Sequence, residues 1–410
     1  MLRALLALPL CGTAVAIAPL LVSLLITGAT PAFCDDGEDW QKSTDEALSA
    51  YSSGDFPRAE KLLRDALEDA EKLGEQDDRL YKSVENLALI YFKRGEFEKA
   101  EPLLLRALSL KEAKHGTDSI EIADALQNIA LLYMGEDKIV ESKQVFERLL
   151  SIRERVQGTD NKDVANALNN IAEIYDMLGD FKKAEMMFKK SLAIREKVFG
   201  GEHQDVANSL NNLAGLYMDR EQFFKAEPLL VRALAMQEKL STNKDTDTGL
   251  SAILNNMAEL YNSKGAFDKA EPLMKRALEI DEKAYGKTHP TVAKTLSNLA
   301  ALYIDEGKFD EAAPLVERAL DIASKSEDPD HPGMIESLME VAEIFGQQNR
   351  FDLAVPVREQ ILKLEERNLG KESPDLVVYI EDYADALKRT GGDQNKYDEL
   401  KERARILRAK

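Results

Sequence analysis

The chain has 410 residues, 31% of them charged and 44% hydrophobic, and a formal net charge of −20. That acidic surplus argues against nucleic acid, and against anionic membrane surfaces, as main partners, because both need a basic face. The two cysteines, Cys11 and Cys34, lie at the N-terminal end, so the body of the chain needs no disulfide and has no thiolate-ligated metal.

In chain order, the first element is an apolar run. No charged residue occurs from Ala4 to Cys34, Arg3 precedes the stretch and Asp35-Asp36 follows it. A basic start, an apolar run and an abrupt polar shift read as an export signal. Ala32-Phe33-Cys34 offers small residues at the two cleavage positions. The run over residues 4–33 is also long enough to span a bilayer. Two readings therefore stand for residues 1–34, a cleaved signal peptide or an uncleaved membrane anchor. Membrane contact is expected only through residues 4–33, if they are retained. Both readings place the body across the membrane, since Arg3 stays inside.

From residue 35 to 410 one pattern recurs. Tyr91, Tyr133, Tyr175 and Tyr217 are 42 residues apart, and after a two-residue slip the series continues at Tyr261, Tyr303 and Phe345. Around them stand near-identical phrases, LNNIAEIYDMLGDFKKAE at 168–185 and LNNMAELYNSKGAFDKAE at 254–271. A fixed period of this size marks an array in which each unit buries its apolar face against the next. The period divides the body into about nine repeats: 39–76, 77–118, 119–160, 161–202, 203–246, 247–288, 289–330, 331–372 and 373–410.

Repeat 161–202 shows the design. Ala165, Leu168, Ile171, Ala172, Ile174 and Tyr175 fall at helical spacing and give a first helix one apolar stripe. Gly179 ends it. Phe181, Ala184, Met187, Phe188 and Leu192 form the stripe of a second helix, which Gly200-Gly201 closes. Small residues recur where the two helices must approach closely: Ala47, Ala88, Ala130, Ala172, Ala214, Ala258, Ala300, Ala342 and Ala384 in first helices, and Ala59, Ala100, Ala184, Ala226, Ala270, Ala312 and Ala354 in second helices. Pro290, Pro332 and Pro374 stand at first-helix starts, where a missing N–H does little harm. Three turns lack the glycine and have Asp137, Glu221 or Asn349 instead. The third repeat also has Ile139 and Ser142 at its aromatic and small positions, a local adjustment or a hinge.

This order of small and aromatic positions resembles the tetratricopeptide repeat along nearly the whole body. The 42-residue period and the phrases LNNLAGLY (210–217) and AEPLLVRAL (226–234) are similar to the kinesin light chain variety. The preceding coiled-coil heptads of that family are missing and an export signal is present, so the chain looks more like exported bacterial proteins of this repeat. The resemblance implies an all-α fold, a right-handed superhelical solenoid of antiparallel helical hairpins, whose first helices line a concave groove for an extended peptide.

Carried onto repeats two to eight, the groove positions are acidic at Glu85, Asp124, Glu173, Asp176, Asp219, Glu259, Asp305, Glu336 and Glu343, and basic at Lys82, Lys93 and Lys294. A negative groove favours basic or neutral protein partners over acidic ones. A row of asparagines crosses it: Asn86, Asn128, Asn170, Asn212, Asn256 and Asn298, doubled by Asn169, Asn211 and Asn255. Asn forms helices poorly. Its recurrence therefore implies hydrogen bonds either to a bound peptide backbone or between neighbouring helices. Leu89, Phe92, Leu131 and Met134 map to the same face and are expected to form an apolar patch, open to a partner or covered by an N-terminal helix or a dimer mate.

The sequence offers no phosphate loop, nucleophile elbow or HExxH, and its four histidines do not cluster. His203, His289 and His331 fall at equivalent turns, where a helix-start role is expected. No catalytic, cofactor or metal site is assigned. The expected function is an exported scaffold or adaptor that binds protein through its groove. The alternative is a structural or self-assembling envelope spacer without a dedicated peptide ligand.

Overall fold

The computed structural model describes residues 38–52, 55–325 and 334–408. The expected signal or anchor over 1–34 lies outside the described residues, as do His331 and Pro332. Among the described residues every regular element is helical: eighteen α-helices and two short 3-10 turns. They pair as consecutive antiparallel hairpins, which are numbered one to nine in chain order. First and second helices run Glu38–Ser52 and Phe56–Leu73, Asp78–Lys93 and Phe97–His115, Ala123–Gly135 and Ile139–Gln157, and Lys162–Met177 and Phe181–Phe199. These four hairpins form one compact unit, which ends at Gly201. The second unit starts at Glu202 and holds Gln204–Met218 and Phe223–Leu240, Thr248–Ser263 and Phe267–Tyr285, Pro290–Asp305 and Phe309–Lys325, Met334–Gln347 and Phe351–Leu369, and Val377–Thr390 and Gln394–Arg408.

The sixteen alanines at the crossing positions are at most 3% exposed. A larger side chain there would overpack the hairpin, at about 1–3 kcal/mol. Ser142, the exception in hairpin three, is also fully buried. Its hydroxyl donates to the Ala130 carbonyl at 2.7 Å, which satisfies the extra polar group. Core clusters run through hairpin three on both sides, joining Ile129 and Leu132 to hairpins one and two, and Phe146 and Leu149 to Ile171 and Ile174 of hairpin four.

The turns keep one conformation whatever the residue. Gly95, Gly179, Gly265, Gly307 and Gly391 are left-handed, and so are Asp137, Glu221 and Asn349 with φ of 58°, 54° and 58°. The amide after the turn residue reaches back to the carbonyl of the periodic aromatic, as from Asp180 to Tyr175 and from Arg350 to Phe345, each at 2.8 Å. That bond closes the helix end. The first helices of hairpins two, four, five, six and seven begin on side-chain caps. His203 Nδ1 accepts from the Asp205 amide at 3.1 Å and His289 Nδ1 from the Thr291 amide at 3.2 Å, the helix-start role expected for those histidines. Pro290 follows in the first turn.

Two polar ladders join successive hairpins. In one, the periodic Tyr donates to a Glu on the second helix before it, and that Glu also pairs with a nearby cation. Tyr91 meets Glu60 at 2.8 Å with Arg94 at 2.5 Å, and Tyr303 meets Glu271 at 3.1 Å with Lys308 at 3.6 Å. Tyr261, Glu227 and Lys264 repeat the set. In the other, second-helix arginines cross to the preceding second helix, Arg106 to Glu71 at 2.8 Å, Arg148 to Glu112 at 2.6 Å and Arg276 to Glu238 at 2.6 Å. Such partly exposed pairs add little stability singly, but they repeat at one junction after another.

Candidate functional site

The candidate site is the face formed by the first helices. Each first helix turns one stripe to its own second helix and another to its neighbours, which leaves a narrow third face. Asn86, Asn170, Asn212 and Asn298 lie on that face and are partly exposed. Asn128 is 2% exposed and its Nδ2 donates to Glu85 Oε1 on the preceding first helix at 2.8 Å. Asn256 Nδ2 donates to Asn211 Oδ1, again on the preceding first helix, at 3.0 Å. Asn262 extends the same style of contact to Asp305 at 2.8 Å. At Asn128 and Asn256 the inter-helix reading of the row therefore holds. Asn169 and Asn255 bond within their own helices, to Glu173 at 2.7 Å and to the Ser251 carbonyl at 3.1 Å.

The expected exposed apolar patch does not form. Leu131 and Met134 are 3% and 7% exposed and belong to the core with Phe146, Leu149, Ile171 and Ile174. Leu89 and Phe92 are partly buried, and Phe92 packs on Phe97 with ring centroids 5.6 Å apart. A helix turns about 100° per residue, so the next hairpin, packed against this side of the third first helix, covers positions that a groove assignment from spacing alone leaves open.

The expected negative charge also divides. Asp124, Asp305 and Glu343 are exposed, and Glu173, Asp219 and Glu259 are half-buried. Glu85 and Asp176 are buried. The side chains of Glu336 and Lys93 lie outside the described residues. Lys82 is exposed and Lys294 half-buried.

Sequence reasoning missed a second set of charges. Lys111, Arg153 and Arg195 sit 42 residues apart on second helices, and each is buried, at 7%, 6% and 8% exposed. Their heads emerge among the first helices. Lys111 Nζ lies 4.5 Å from the Tyr81 ring centre. Arg153 donates to Gln127 Oε1 at 3.0 Å and to the Asp163 carbonyl at 3.2 Å. Arg195 donates to Asn166 Oδ1 at 2.7 Å. Their period was the available signal. In the second unit the same position turns neutral and then acidic. Gln237 bonds Asp247 at 2.9 Å, and Asp281 accepts from Thr295 at 2.6 Å.

These neighbours set the acidities. Burial pushes the Glu85 carboxyl above its usual range, and Lys111 and Asn128 pull it partly back. Burial carries Glu173 up to about 7, opposed by the Asn169 hydrogen bond and the Arg195 charge and reinforced by Asp176. In the first unit, buried cations and neutral-leaning carboxyls thus offset the acid. In the second unit Asp219, Glu259, Asp305 and Glu343 keep the face negative. Among the described residues no group of His, Cys, Asp and Glu has metal-binding geometry, and no helix is long and apolar enough to cross a membrane. Nothing in the arrangement points to catalysis. Within each unit it presents amides and charges along successive first helices.

An array of stacked helical hairpins with a polar first-helix face is a repeat solenoid, a class that generally serves protein–protein interaction. The tetratricopeptide repeat profile matches residues 80–138, 121–197, 183–239, 249–325 and 291–364, more than half of the chain, and the chain belongs to that family. Comparison with curated proteins found no match. Among solved structures, BtubC (BKLC) from P. vanneervenii is 26% identical over 56% of this chain and 92% of its own, with a TM-score of 0.50. The apo form of RapI is 15% identical over 70% of this chain and 98% of its own, with a TM-score of 0.51, a likeness of fold alone. A tetratricopeptide repeat protein from Parabacteroides merdae is 19% identical over 74% of this chain and 99% of its own, with a TM-score of 0.49.

Proposed function

We propose that the chain is an exported scaffold or adaptor that takes up an extended segment of another protein along its first-helix face. The observation that supports it is the set of partly exposed amides on that face, Asn86, Asn170, Asn212 and Asn298, in hairpins two, four, five and seven. An amide both donates and accepts, as a peptide backbone requires, and a recurring amide suits a repeating backbone. Export rests on the sequence of residues 1–34. The acidic residues of the second unit favour a basic or neutral segment there.

The test is a crosslinked pull-down from envelope and secreted fractions. It compares the native body with a triple variant, Asn86→Ala, Asn170→Ala and Asn298→Ala, after circular dichroism shows equal helicity. These three are chosen over Asn128 and Asn256, whose loss would disturb hairpin stacking. A defined partner held by the native body and lost by the variant is expected. Identical catches would sink the reading.

A further inference from the structure

Outer faces of the second helices, turned away from the first helices, differ sharply from hairpin to hairpin. The second helix of hairpin four, Phe181–Phe199, has six basic residues against two acidic ones, in a chain of net charge −20. Its outer stripe reads Lys182, Met186, Lys189 and Ala193, all exposed, and Lys190 stands beside it. Lys182, Met186, Lys189, Lys190 and Ala193, with Glu185, line a shallow open depression of about 450 Å³. The second helix of hairpin seven, Phe309–Lys325, has the opposite stripe at the same four positions: Asp310, Pro314, Glu317 and Asp321, again all exposed. Local pairing softens both stripes without reversing either. Glu185 pairs with Lys189, and Lys325 with Asp321, each at 2.6 Å.

The two stripes match position by position. Lys182 and Lys189 are seven residues apart, as are Asp310 and Glu317. At 1.5 Å per residue both pairs of charges stand about 10 Å apart on rigid helices. Between each pair lies one apolar side chain, Met186 on one helix and Pro314 on the other. Ala193 leaves room for close approach next to the basic pair.

From this complementarity we propose that the basic outer face of hairpin four in one copy of the chain docks on the acidic outer face of hairpin seven in a second copy. The proposal is independent of the groove reading, since neither stripe is on the first-helix face. The contact is heterologous: each copy offers one donor and one acceptor face, so association continues to a ring or an open string rather than stopping at a symmetric pair. Two crossing helices bury less than a standard interface, which places the contact among weak, salt-sensitive ones.

Sedimentation velocity across micromolar to submillimolar protein tests it, with circular dichroism to confirm folding. The native chain is expected to sediment faster as concentration rises at low salt, and to lose that rise at about 0.5 M salt. A Lys182→Glu, Lys189→Glu, Lys190→Glu variant and an Asp310→Lys, Glu317→Lys, Asp321→Lys variant should each associate at least about tenfold more weakly. Mixed in equal amounts, the two variants should recover association, because each reversed face then meets a reversed partner. The groove triple variant should associate like the native chain. Met186→Ser, which leaves every charge in place, gives a second variant should charge reversal impair folding, and it too should weaken association. A native chain that stays monomeric throughout, variants that associate as the native chain does, or a mixture that fails to recover would each overturn the proposal.

Discussion

Glu173 shows how far a single residue can be read. Its place on the first-helix face is legible from the repeat, but its chemistry is not. The carboxyl is carried from 4.5 to about 7 because burial disfavours its charge, and burial depends on neighbours that spacing does not reveal. The asparagines teach the same lesson. Their period is plain, yet whether an amide meets a ligand or a helix depends on the offset between adjacent first helices, a tertiary quantity. A stability consequence follows for Glu173. The folded chain holds this proton more tightly than the unfolded chain, so between pH 4.5 and 7 raising the pH removes stability, and above 7 the loss is complete. Glu173→Gln keeps the acceptor for Asn169 and mimics the protonated form. At pH 5 its urea midpoint should match the native chain, and at pH 8 it should exceed it. A difference between the two proteins that is the same at both pH values would refute the assignment.

At the scale of helices and their junctions, more was legible. Helix ends follow from the turn position even where glycine is absent: Asp137 and Glu221 take the left-handed geometry because the amide of the next residue is held by the bond to the aromatic carbonyl, as from Lys138 to Tyr133 and from Gln222 to Tyr217, each at 2.8 Å. The Tyr–Glu contacts explain a detail that periodicity alone leaves unexplained, the change from Tyr to Phe345. The Glu position on the preceding second helix, occupied by Glu227 and Glu271, holds Ala313 in hairpin seven. At that junction the acceptor and the hydroxyl are absent together, and Phe345 is fully buried. Hairpin three lacks the Glu as well, having Lys143, and there Tyr175 reaches Glu147 one turn further on at 3.3 Å. A double-mutant cycle tests the pairing. Phe345→Tyr alone should cost about 1 kcal/mol or more, since its hydroxyl enters the core without its usual acceptor. Adding Ala313→Glu should return a favourable coupling of about 0.5–1.5 kcal/mol. Strictly additive effects in urea denaturation would show that the Tyr–Glu contact is incidental.

For the whole molecule, the repeat made the architecture legible because each hairpin contacts mainly its neighbours, so a local pattern determines a long array. The same property predicts how the chain unfolds. Stability in such an array is a sum of hairpin and junction contributions, and cooperativity fails where a junction is weak. The single tryptophan, Trp40, reports one end. It is 7% exposed in hairpin one and its Nε1 donates to Ser83 Oγ of hairpin two at 2.7 Å. Its cluster, with Ala66, Ala70, Leu80, Val84 and Ala107, is confined to hairpins one and two, whereas helical circular dichroism averages over all hairpins. Trp40 fluorescence and circular dichroism should therefore follow different urea transitions. Ser83→Ala leaves the indole N–H without its partner, at about 1–3 kcal/mol, and should move the fluorescence transition to lower urea while moving most of the dichroism transition little. Coincident transitions that shift together would mean that the hairpins unfold as one cooperative body and that the nearest-neighbour description fails for this chain.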